Sequence, residues 1–444
     1  MTTCDVVVLG LGPGGEAVAT KLARAGLDVV AVDQRLVGGE CPYYGCVPSK
    51  MMIHAALPIA EARRLPGVAE VRPDWSAVAR RIRDEATDDW DDAVAVKRLE
   101  DAGVRFVRGH GRLTGPGRVE VEGTTYDATR GVVLNTGTEP AVPPVDGLAD
   151  TPYWTNRDAV QVTDLPASLI VVGGGAIGCE LAQVFARFGV EVSVVEVADR
   201  LLANEEPEAG RVVAEAFAAE GIRVRTGAEI ASVSHAEGTF TVDLGEERLT
   251  ADKLLVAAGR KPNLDRIGLD SVGLDPSVRS LEVDDHLRAG ERLWAVGDIT
   301  GKGAFTHVSM YQADVAVRAL LEQEGPWADY RAVPRVTFTD PEVGAVGMTE
   351  EQARAAGLEV RAATGDLGAR GWIAERDGVV KLVADARRGV LVGGTVAGPA
   401  GGEVLSMLAT AVHAEVPVAT LRSMVYAYPT FHRAVETVLG DLGL

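Results

Sequence analysis

Apolar and polar positions alternate in blocks that predict strands and helices in turn. Residues 5–33 read DVVVLGLGPGGEAVATKLARAGLDVVAVD, which is an apolar run, a glycine turn, an Ala-rich stretch ending at Gly26, and a second apolar run ending at Asp33. This order predicts a buried strand, a helix and a parallel strand. Residues 169–196 repeat the plan, with Gly189 as the helix stop and Glu196 at the strand end. The chain therefore predicts two βαβ units.

Between and beyond these units the pattern changes. Residues 76–102 predict a polar helix, and residues 104–135 are rich in predicted strands. Two further strands end in LLVAAGRKPN and LWAVGD. From about residue 333, alternating strands are followed by two helices, near 403–413 and 430–439. The chain thus combines an α/β plan with a different C-terminal region.

Length and charge narrow the class of protein. A chain of 444 residues is too long for a single hydrophobic core, so two to four domains are expected. Its formal charge of −20 disfavours nucleic acid and anionic membranes as partners. We find no apolar run that approaches a membrane span, and the strand-like DVVVLG at residues 5–10 leaves no room for a signal peptide. A cytoplasmic protein is expected.

Both βαβ units carry the glycine spacing of a dinucleotide-binding turn. The first glycine permits the tight turn, the second lets the backbone approach a pyrophosphate, and the third lets helix and strand pack closely. An acid at the end of the second strand is placed to accept hydrogen bonds from a ribose. Tight packing turns are the alternative, but two complete sets favour two dinucleotides, a flavin and a nicotinamide. The sets are Gly10, Gly12, Gly15 with Asp33, and Gly173, Gly175, Gly178 with Glu196.

Residues 38–50, GGECPYYGCVPSK, contain two of the four cysteines, Cys41 and Cys46. In a regular helix their Cα atoms would lie beyond disulfide range, but Pro42 and Gly45 favour an irregular turn that could bring them together. A zinc site would need two more ligands, which no nearby pair supplies, so no metal site is predicted. Two buried structural cysteines remain an alternative. A redox pair is favoured, because a thiolate beside a flavin can exchange with disulfides or pass electrons on.

The cysteine stretch resembles the signature of the class I pyridine nucleotide–disulfide oxidoreductases, which include lipoamide dehydrogenase, glutathione reductase and mercuric reductase. Further motifs follow in the order found in that family: NTGTEP, AAGRKPN, AVGD, FTDPEVGAVGMTEEQAR and YPT. The resemblance implies an α/β fold with two Rossmann-like dinucleotide-binding domains and a C-terminal α+β interface domain that forms a homodimer. The expected division is an FAD-binding domain (1–150), an NAD(P)-binding domain (151–265), a central segment returning to FAD (266–330) and the interface domain (331–444).

The resemblance also implies roles for single residues. Cys46 would lie against the flavin and Cys41 would face the substrate, while Lys50, paired with Glu180, would lie near flavin N5. His307 matches a segment that lines the flavin, although a buried packing role is equally favoured. Positions matching FAD contacts are Gly10, Gly12, Gly15, Asp33, Lys50, Gly137 and Asp298, and those matching the nicotinamide dinucleotide are Gly173, Gly175, Gly178, Glu196 and Gly259.

Glu196 bears on the choice of coenzyme. An acid at this strand end can bind the 2′-hydroxyl of NADH and repels the 2′-phosphate of NADPH. Arg200, four residues on, could accommodate a phosphate, although a surface charge is its commoner role. We therefore expect NADH, with NADPH less favoured.

The chain departs from the family at its C-terminal acid/base. Disulfide reductases usually carry His-Pro there, with a Glu five residues after the His, whereas this chain has Tyr428 and Arg433. Mercuric reductases resemble it in having tyrosine, but they carry a C-terminal cysteine pair, and this sequence ends GDLGL. A phenol is a poor proton acceptor at neutral pH. His432 is an alternative base, although a merely exposed histidine is commoner.

Aromatic residues are a second departure. Tyr43 and Tyr44 lie between the cysteines, and with Tyr426 and Tyr428 they could line a pocket for a planar or apolar acceptor. Ordinary interface packing is the alternative for each of them.

Three functions are consistent with this reading. The first is an NADH-dependent flavoenzyme that cycles a Cys41–Cys46 disulfide against an uncommon disulfide, dithiol or thiol-bound substrate. The second passes electrons to a small-molecule acceptor such as a quinone, a metal ion or oxygen. The third is a non-catalytic flavin-binding sensor or scaffold, which the intact glycine turns, Lys50 and Glu180 disfavour.

Overall fold

A computed structural model describes residues 1–65, 67 and 70–444. The chain divides into two compact units. The first comprises Met1–Pro48, Arg80–Pro140 and Arg260–Tyr330, and the second comprises Ser49–Ala79, Ala141–Gly259 and Arg331–Leu444. Among the described residues, no helix combines the length and apolar character needed to cross a membrane.

The strands, in chain order, are β1 (Thr2–Leu9), β2 (Val29–Asp33), β3 (Arg105–Arg108), β4 (Gly111–Gly115), β5 (Arg118–Val121), β6 (Thr124–Leu134), β7 (Thr138–Pro140), β8 (Ser168–Val172), β9 (Glu191–Val195), β10 (Arg223–Arg225), β11 (Ser232–Ala236), β12 (Thr239–Asp243), β13 (Arg248–Ala251), β14 (Lys253–Val256), β15 (Arg260–Pro262), β16 (Arg288–Gly290), β17 (Leu293–Ala295), β18 (Pro334–Thr337), β19 (Glu342–Gly347), β20 (Val360–Gly365), β21 (Val379–Asp385) and β22 (Val390–Gly398).

The α-helices are α1 (Pro13–Arg24), α2 (Glu40–Tyr43), α3 (Cys46–Arg64), α4 (Trp75–Arg81), α5 (Ala93–Asp101), α6 (Asn156–Ala159), α7 (Ala176–Arg187), α8 (Pro207–Ala219), α9 (Thr306–Leu320), α10 (Glu350–Ala355), α11 (Gly368–Ile373), α12 (Gly401–His413), α13 (Val418–Arg422) and α14 (Ala434–Asp441). A π-helical turn spans Ile82–Ala86, and 3₁₀ turns span Leu148–Asp150, Leu269–Val272, Asp298–Thr300 and Phe431–Arg433.

The first unit is built on one large sheet. Its strand order is β16-β17-β6-β1-β2-β3, and β5 and β4 extend it from β6 as an antiparallel ribbon. The apolar strand β1 is paired in parallel on both sides, with Leu9 opposite Val32 of β2 and Leu134 of β6. Because β1, α1 and β2 follow one another, the first predicted βαβ unit is confirmed, and the glycine turn lies at the carboxyl end of β1.

The described residues of the second unit form three sheets. A parallel sheet of order β10-β9-β8-β14 contains the second βαβ unit, in which α7 joins β8 to β9. An antiparallel sheet, β11-β12-β13, shares a hydrophobic cluster with it. The C-terminal residues form an antiparallel sheet of order β18-β19-β22-β21-β20 with α12 and α14 packed against its apolar side chains. The predicted α/β class with a C-terminal α+β domain is confirmed.

The continuous polar helix predicted over 76–102 is wrong. The chain forms α4, the π-helical turn Ile82–Ala86 and then α5, with no helix over residues 87–92. The Thr87 hydroxyl donates to the carbonyls of Ile82 and Arg83 and so competes with helical hydrogen bonding. The next residues adopt left-handed backbone angles, which end the helix. The helices predicted near 403–413 and 430–439 are confirmed as α12 and α14.

Candidate redox site and dinucleotide-binding turns

The first glycine turn is specified by close backbone approach. Gly10 has φ +87°, and a Cβ there would overlap the Asn135 carbonyl. A Cβ at Gly15 would overlap the Gly10 carbonyl, so α1 packs directly on the turn. Gly12 is the residue before α1 and has extended backbone angles. This cradle, which side chains would fill, fits a pyrophosphate at a helix N-terminus.

Asn135 supports this turn and was not singled out in the sequence. Its side-chain Oδ1 accepts the Gly15 N–H at 2.8 Å, and its Nδ2 donates to the Val296 carbonyl at 2.9 Å. Asn135 is buried, and it joins the glycine turn to Val296, the residue after β17. The only signal available was its place at the head of the NTGTEP motif.

Asp33 lies beside the same turn. Its two carboxylate oxygens each accept one backbone N–H, from Leu11 and from Arg35, both at 2.7 Å. Burial raises the pKa of this carboxyl, while these two hydrogen bonds act in the opposite direction. Each oxygen keeps a further lone pair, so the carboxylate can still accept a ribose hydroxyl.

The second glycine turn has the same design. Gly173 has φ +111°, a Cβ there would overlap the Ala257 carbonyl, and a Cβ at Gly178 would overlap the carbonyl of Gly173. Glu196 accepts the Gly174 N–H on one oxygen and the Ala198 N–H on the other, the latter at 2.7 Å. These bonds correspond one for one to those of Asp33 in the first unit. The space around the Gly175 Cα is open.

Arg200 is engaged in its own loop. It donates to the Ala203 carbonyl at 3.0 Å and pairs with Asp199 at 3.1 Å. These bonds favour the surface-charge interpretation of Arg200 over a phosphate ligand.

Asp298 begins a 3₁₀ turn, and the remaining two glycines lie in loops. Asp298 accepts the Thr138 hydroxyl at 2.7 Å, and that hydroxyl accepts from Arg260 at 2.6 Å. Gly137 and Gly259 have φ of +64° and +115°, which a side chain at either position would strain. In their own units both have open space beside Cα, consistent with close approach of a ligand.

The two cysteines lie on either side of a helix break. Cys41 belongs to α2, and Cys46 is the first residue of α3. A Cβ at Gly45 would lie 3.6 Å from the Cys41 Cα, so the break that Pro42 and Gly45 predict is a tight turn. A hydrogen bond with Cys46, followed by burial, raises the pKa of the Cys41 thiol. The turn therefore brings the two thiols into contact.

The amino terminus of α9 lies at this pair. Thr306 is the first residue of α9, and its hydroxyl is 3.3 Å from the Cys46 Sγ. The positive end of the helix dipole favours a negative charge at this point. His307 is exposed and stacks on Phe305 with ring centroids 5.2 Å apart, so the alternative of a buried packing histidine is wrong for this chain.

Lys50 and Glu180 form an ion pair within the second unit. The Lys50 Nζ lies 2.7 Å from the Glu180 Oε2, and the Glu180 side chain is only 6% exposed. The other oxygen of Glu180 accepts the Phe338 N–H at 2.8 Å. The Phe338 ring lies under the Lys50 ammonium, 4.7 Å from its centroid. Phe338 thus orients both members of the pair, which the FTDPEVG motif alone did not reveal.

In the C-terminal segment a phenol, that of Tyr428, lies beside a cation, that of Arg433. Tyr428 is 70% exposed, and the Arg433 guanidinium lies 5.6 Å from its ring centroid. Arg433 also donates to the Tyr426 carbonyl and pairs with Glu436, each at 3.0 Å. His432 is half-buried with its ring 6.0 Å from that of Tyr426, so it is not a merely exposed histidine.

The four tyrosines differ in burial. Tyr43 is buried, and burial raises the pKa of its phenol to about 12. Tyr426 is buried in the C-terminal core, and its hydroxyl donates to the Leu421 carbonyl. These two side chains serve packing within their own units. Tyr44 is half-buried and Tyr428 is exposed.

Comparison with known proteins places the chain in a family. Residues 4–318 match the family model described as Pyridine nucleotide-disulphide oxidoreductase, and residues 333–439 match its dimerisation domain. A dihydrolipoyl dehydrogenase of Halobacterium salinarum is 32% identical, covering 98% of this chain and 95% of that protein. A mercuric reductase of Acidithiobacillus ferrooxidans is 33% identical, covering 96% of this chain and 80% of that protein.

Comparison with solved structures gives the same family. The HOCl-induced flavoprotein disulfide reductase RclA from Escherichia coli is 26% identical, with a TM-score of 0.86 and coverage of 98% and 99% of the two chains. LpdA from Mycobacterium tuberculosis is 28% identical, with a TM-score of 0.86 and full coverage of both chains (100% each). The chain therefore belongs to the pyridine nucleotide–disulfide oxidoreductases, flavoprotein enzymes that use FAD and a nicotinamide nucleotide and carry a dimerisation domain.

Proposed function

We propose that the protein is an FAD-dependent NADH oxidoreductase that cycles a Cys41–Cys46 disulfide against an uncommon disulfide or dithiol substrate. The tight turn between α2 and α3, which brings the two thiols together, carries the proposal. In the reductive half, NADH and one proton convert the disulfide to two thiols and release NAD⁺. In the oxidative half, the two thiols reduce a substrate disulfide to its dithiol, so atoms and electrons balance.

Each site residue then has a role. Cys41 attacks or releases the substrate sulfur, and Cys46, beside Thr306 and the α9 terminus, holds the charge of the thiolate. Lys50, kept in place by Glu180 and Phe338, supplies a positive charge near the flavin. FAD, when bound, supplies two-electron transfer between the coenzyme and the thiols. Gly10, Gly12, Gly15, Asp33, Gly137 and Asp298 would hold it.

For the domains and the coenzyme we propose the assignment that the sequence led us to expect. We assign FAD to residues 1–150 and 266–330, the nicotinamide nucleotide to 151–265, and homodimer formation to 331–444. Glu196 supports NADH, because its carboxylate is fixed beside the second glycine turn, where a 2′-phosphate would meet a like charge. Gly173, Gly175, Gly178 and Gly259 complete that site.

The acceptor is uncommon because the usual base is missing. We infer from the order of motifs that Tyr428 and Arg433 take the positions of the family imidazole and carboxylate. Their cation–π contact supplies no proton relay. Exchange with dihydrolipoamide or glutathione disulfide should therefore be slow, and a substrate that needs no proton from this position is favoured.

Anaerobic titration of the purified holoenzyme with NADH, followed by its absorption spectrum, tests the proposal. A flavin and a coupled disulfide each take two electrons, so full reduction should consume four per subunit. A Cys46→Ser variant, which cannot form the disulfide, is the control and should take two. Uptake of only two electrons by the unaltered protein would contradict the proposed redox pair.

A second candidate is transfer to a metal ion or quinone. It is favoured by the solved Cu(II) complex of RclA, which is 26% identical with a TM-score of 0.87, and by the mercuric reductase relative. Steady-state NADH oxidation with Cu(II) or a quinone, compared between the unaltered protein and Cys41→Ser, separates the candidates. Turnover that survives the substitution supports a non-thiol acceptor. A protein that binds FAD but is not reduced by NADH would instead be the sensor or scaffold.

A further inference from the structure

An unusual backbone segment lies next to the cysteine turn in the first unit. After the π-helical turn Ile82–Ala86, three successive residues other than glycine have left-handed angles: φ is +49° at Asp88, +53° at Asp89 and +58° at Trp90. Such angles are unfavourable for L-residues because the Cβ approaches the following carbonyl. Runs of this kind persist only where surrounding contacts enforce them, and they concentrate at functional sites.

Contacts at both ends enforce this segment. Thr87 is 1% exposed and bonds back to the carbonyls of Ile82 and Arg83. At the other end, the Asp92 carboxylate accepts the Val37 N–H at 2.7 Å and pairs with Arg108 at 2.6 Å. The segment is therefore tied to the loop that leads into the cysteine stretch, and it cannot relax its backbone without breaking these bonds.

Trp90, at the end of the left-handed run, reaches the cysteine turn itself. Its indole Nε1–H donates to the Tyr43 carbonyl at 3.1 Å. Tyr43 is the last residue of α2 and lies between Cys41 and Cys46, so its carbonyl has no α2 amide to accept. The buried Tyr43 ring also packs beside Gly38. The indole hydrogen bond thus fixes the backbone between the two thiols.

We propose that Trp90 is a positioning residue for the redox pair, and that its indole N–H stabilises the Cys41–Cys46 disulfide by holding the turn in its ring-closing geometry. The inference rests on the proposed redox function of this pair. A dithiol held close closes its disulfide at a higher effective concentration. Loss of the N–H should loosen the turn and make the disulfide easier to reduce.

The test is the equilibrium of the holoenzyme with dithiothreitol. The reaction is protein disulfide plus reduced dithiothreitol giving protein dithiol plus oxidised dithiothreitol, and alkylation with mass spectrometry measures the two protein forms. Trp90→Phe keeps an aromatic ring but removes the N–H. We expect the equilibrium to shift three- to tenfold toward the dithiol, which raises the midpoint potential by about 14–30 mV. Trp90→Tyr should shift it in the same direction and carries the test if the Phe variant does not fold.

Trp75→Phe is the matched control. Its indole N–H also donates to a backbone carbonyl, that of Val162 at 2.8 Å, but in the second unit. No shift is expected there. An unchanged equilibrium in the Trp90 variants, or an equal shift in Trp75→Phe, would overturn the positioning role while leaving the redox pair intact. If the unaltered protein never forms the Cys41–Cys46 disulfide, the proposed function fails and this inference with it.

Discussion

Asp340 offers a stringent test of how the second unit holds its ion pairs. Its carboxylate is 4% exposed and lies 2.6 Å from Arg187, 2.5 Å from Arg376 and 2.9 Å from Arg64. Its backbone N–H and carbonyl both bond the Gln183 side chain. Asp340→Asn keeps the shape and these backbone bonds but removes the charge that three guanidinium groups share.

The expected loss of stability depends on the ion pairs that remain in the Asp340→Asn variant. Removing one partner of a buried ion pair costs about 3–5 kcal/mol because it leaves charge uncompensated. Arg187 keeps Glu220 at 2.6 Å, and Arg64 and Arg376 share Glu61 at 3.0 Å. The three guanidinium groups thus retain two carboxylates between them, and we expect the lower end of this range, about 3 kcal/mol. For a unit of this size that is a fall in melting temperature of about 6–10 °C.

The loss of stability in Asp340→Asn should also depend on pH. Burial acts to raise the Asp340 pKa, but Arg187, Arg376 and Arg64 outweigh it and hold the pKa below its usual range. A carboxyl with a lowered folded-state pKa contributes stability above its unfolded pKa, about 3.9, and loses that contribution as the pH falls through the folded value. The difference between the unaltered protein and Asp340→Asn should therefore be full at pH 7 and shrink below about pH 4.

Thermal unfolding followed by circular dichroism, with FAD present, measures this difference. Glu215→Gln is the control, since it removes a carboxylate from an exposed pair with Arg211 and should leave the melting temperature unchanged. Equal melting of the unaltered protein and Asp340→Asn at pH 7 would refute the reasoning, as would a difference that persists undiminished at low pH.

The remaining predictions concern the redox chemistry. Cys46→Ser should abolish the long-wavelength absorption of a thiolate beside the flavin in the half-reduced enzyme, whereas Cys41→Ser should retain it; the opposite pattern would exchange their roles. In stopped-flow flavin reduction, NADH should exceed NADPH by about a hundredfold, since a like-charge contact in a partly desolvated site costs a few kcal/mol. Equal rates would mean that Glu196 points away from the ribose. Tyr428→His with Arg433→Glu should raise turnover of small disulfides by up to about 10²-fold and leave quinone turnover unchanged. Rapid turnover of dihydrolipoamide by the unaltered protein would contradict the idea that a base is missing.

Local patterns in the sequence determined the two βαβ units and their glycine turns. Each unit is recognised by features of consecutive residues: an apolar run, a glycine spacing and a terminal acid. The turn also needs a positive φ at Gly10 or Gly173, and only the residue at that position can provide it. The break between Cys41 and Cys46 was likewise predictable, because Pro42 and Gly45 lie within it. The pairing of Lys50 with Glu180 was expected because the order of motifs along the chain resembles that of the family.

Contacts between distant segments were decided only by the tertiary structure. Asn135 holds the Gly15 N–H across 120 positions, and Phe338 orients Glu180 across 158. The segment predicted as one helix breaks at Thr87. The hydrogen bonds of the Thr87 hydroxyl and those of the Asp92 carboxylate with Val37 and Arg108 stabilise the break more than the local sequence favours a continuous helix. Burial could not be predicted from the sequence either. Tyr43 and Tyr426 are buried, whereas the nearby Tyr44 is half-buried and Tyr428 is exposed, although all four are the same residue type. Local propensity amounts to tenths of a kcal/mol per residue, whereas burial and paired charges contribute several times more, so the fold overrides the pattern where they disagree.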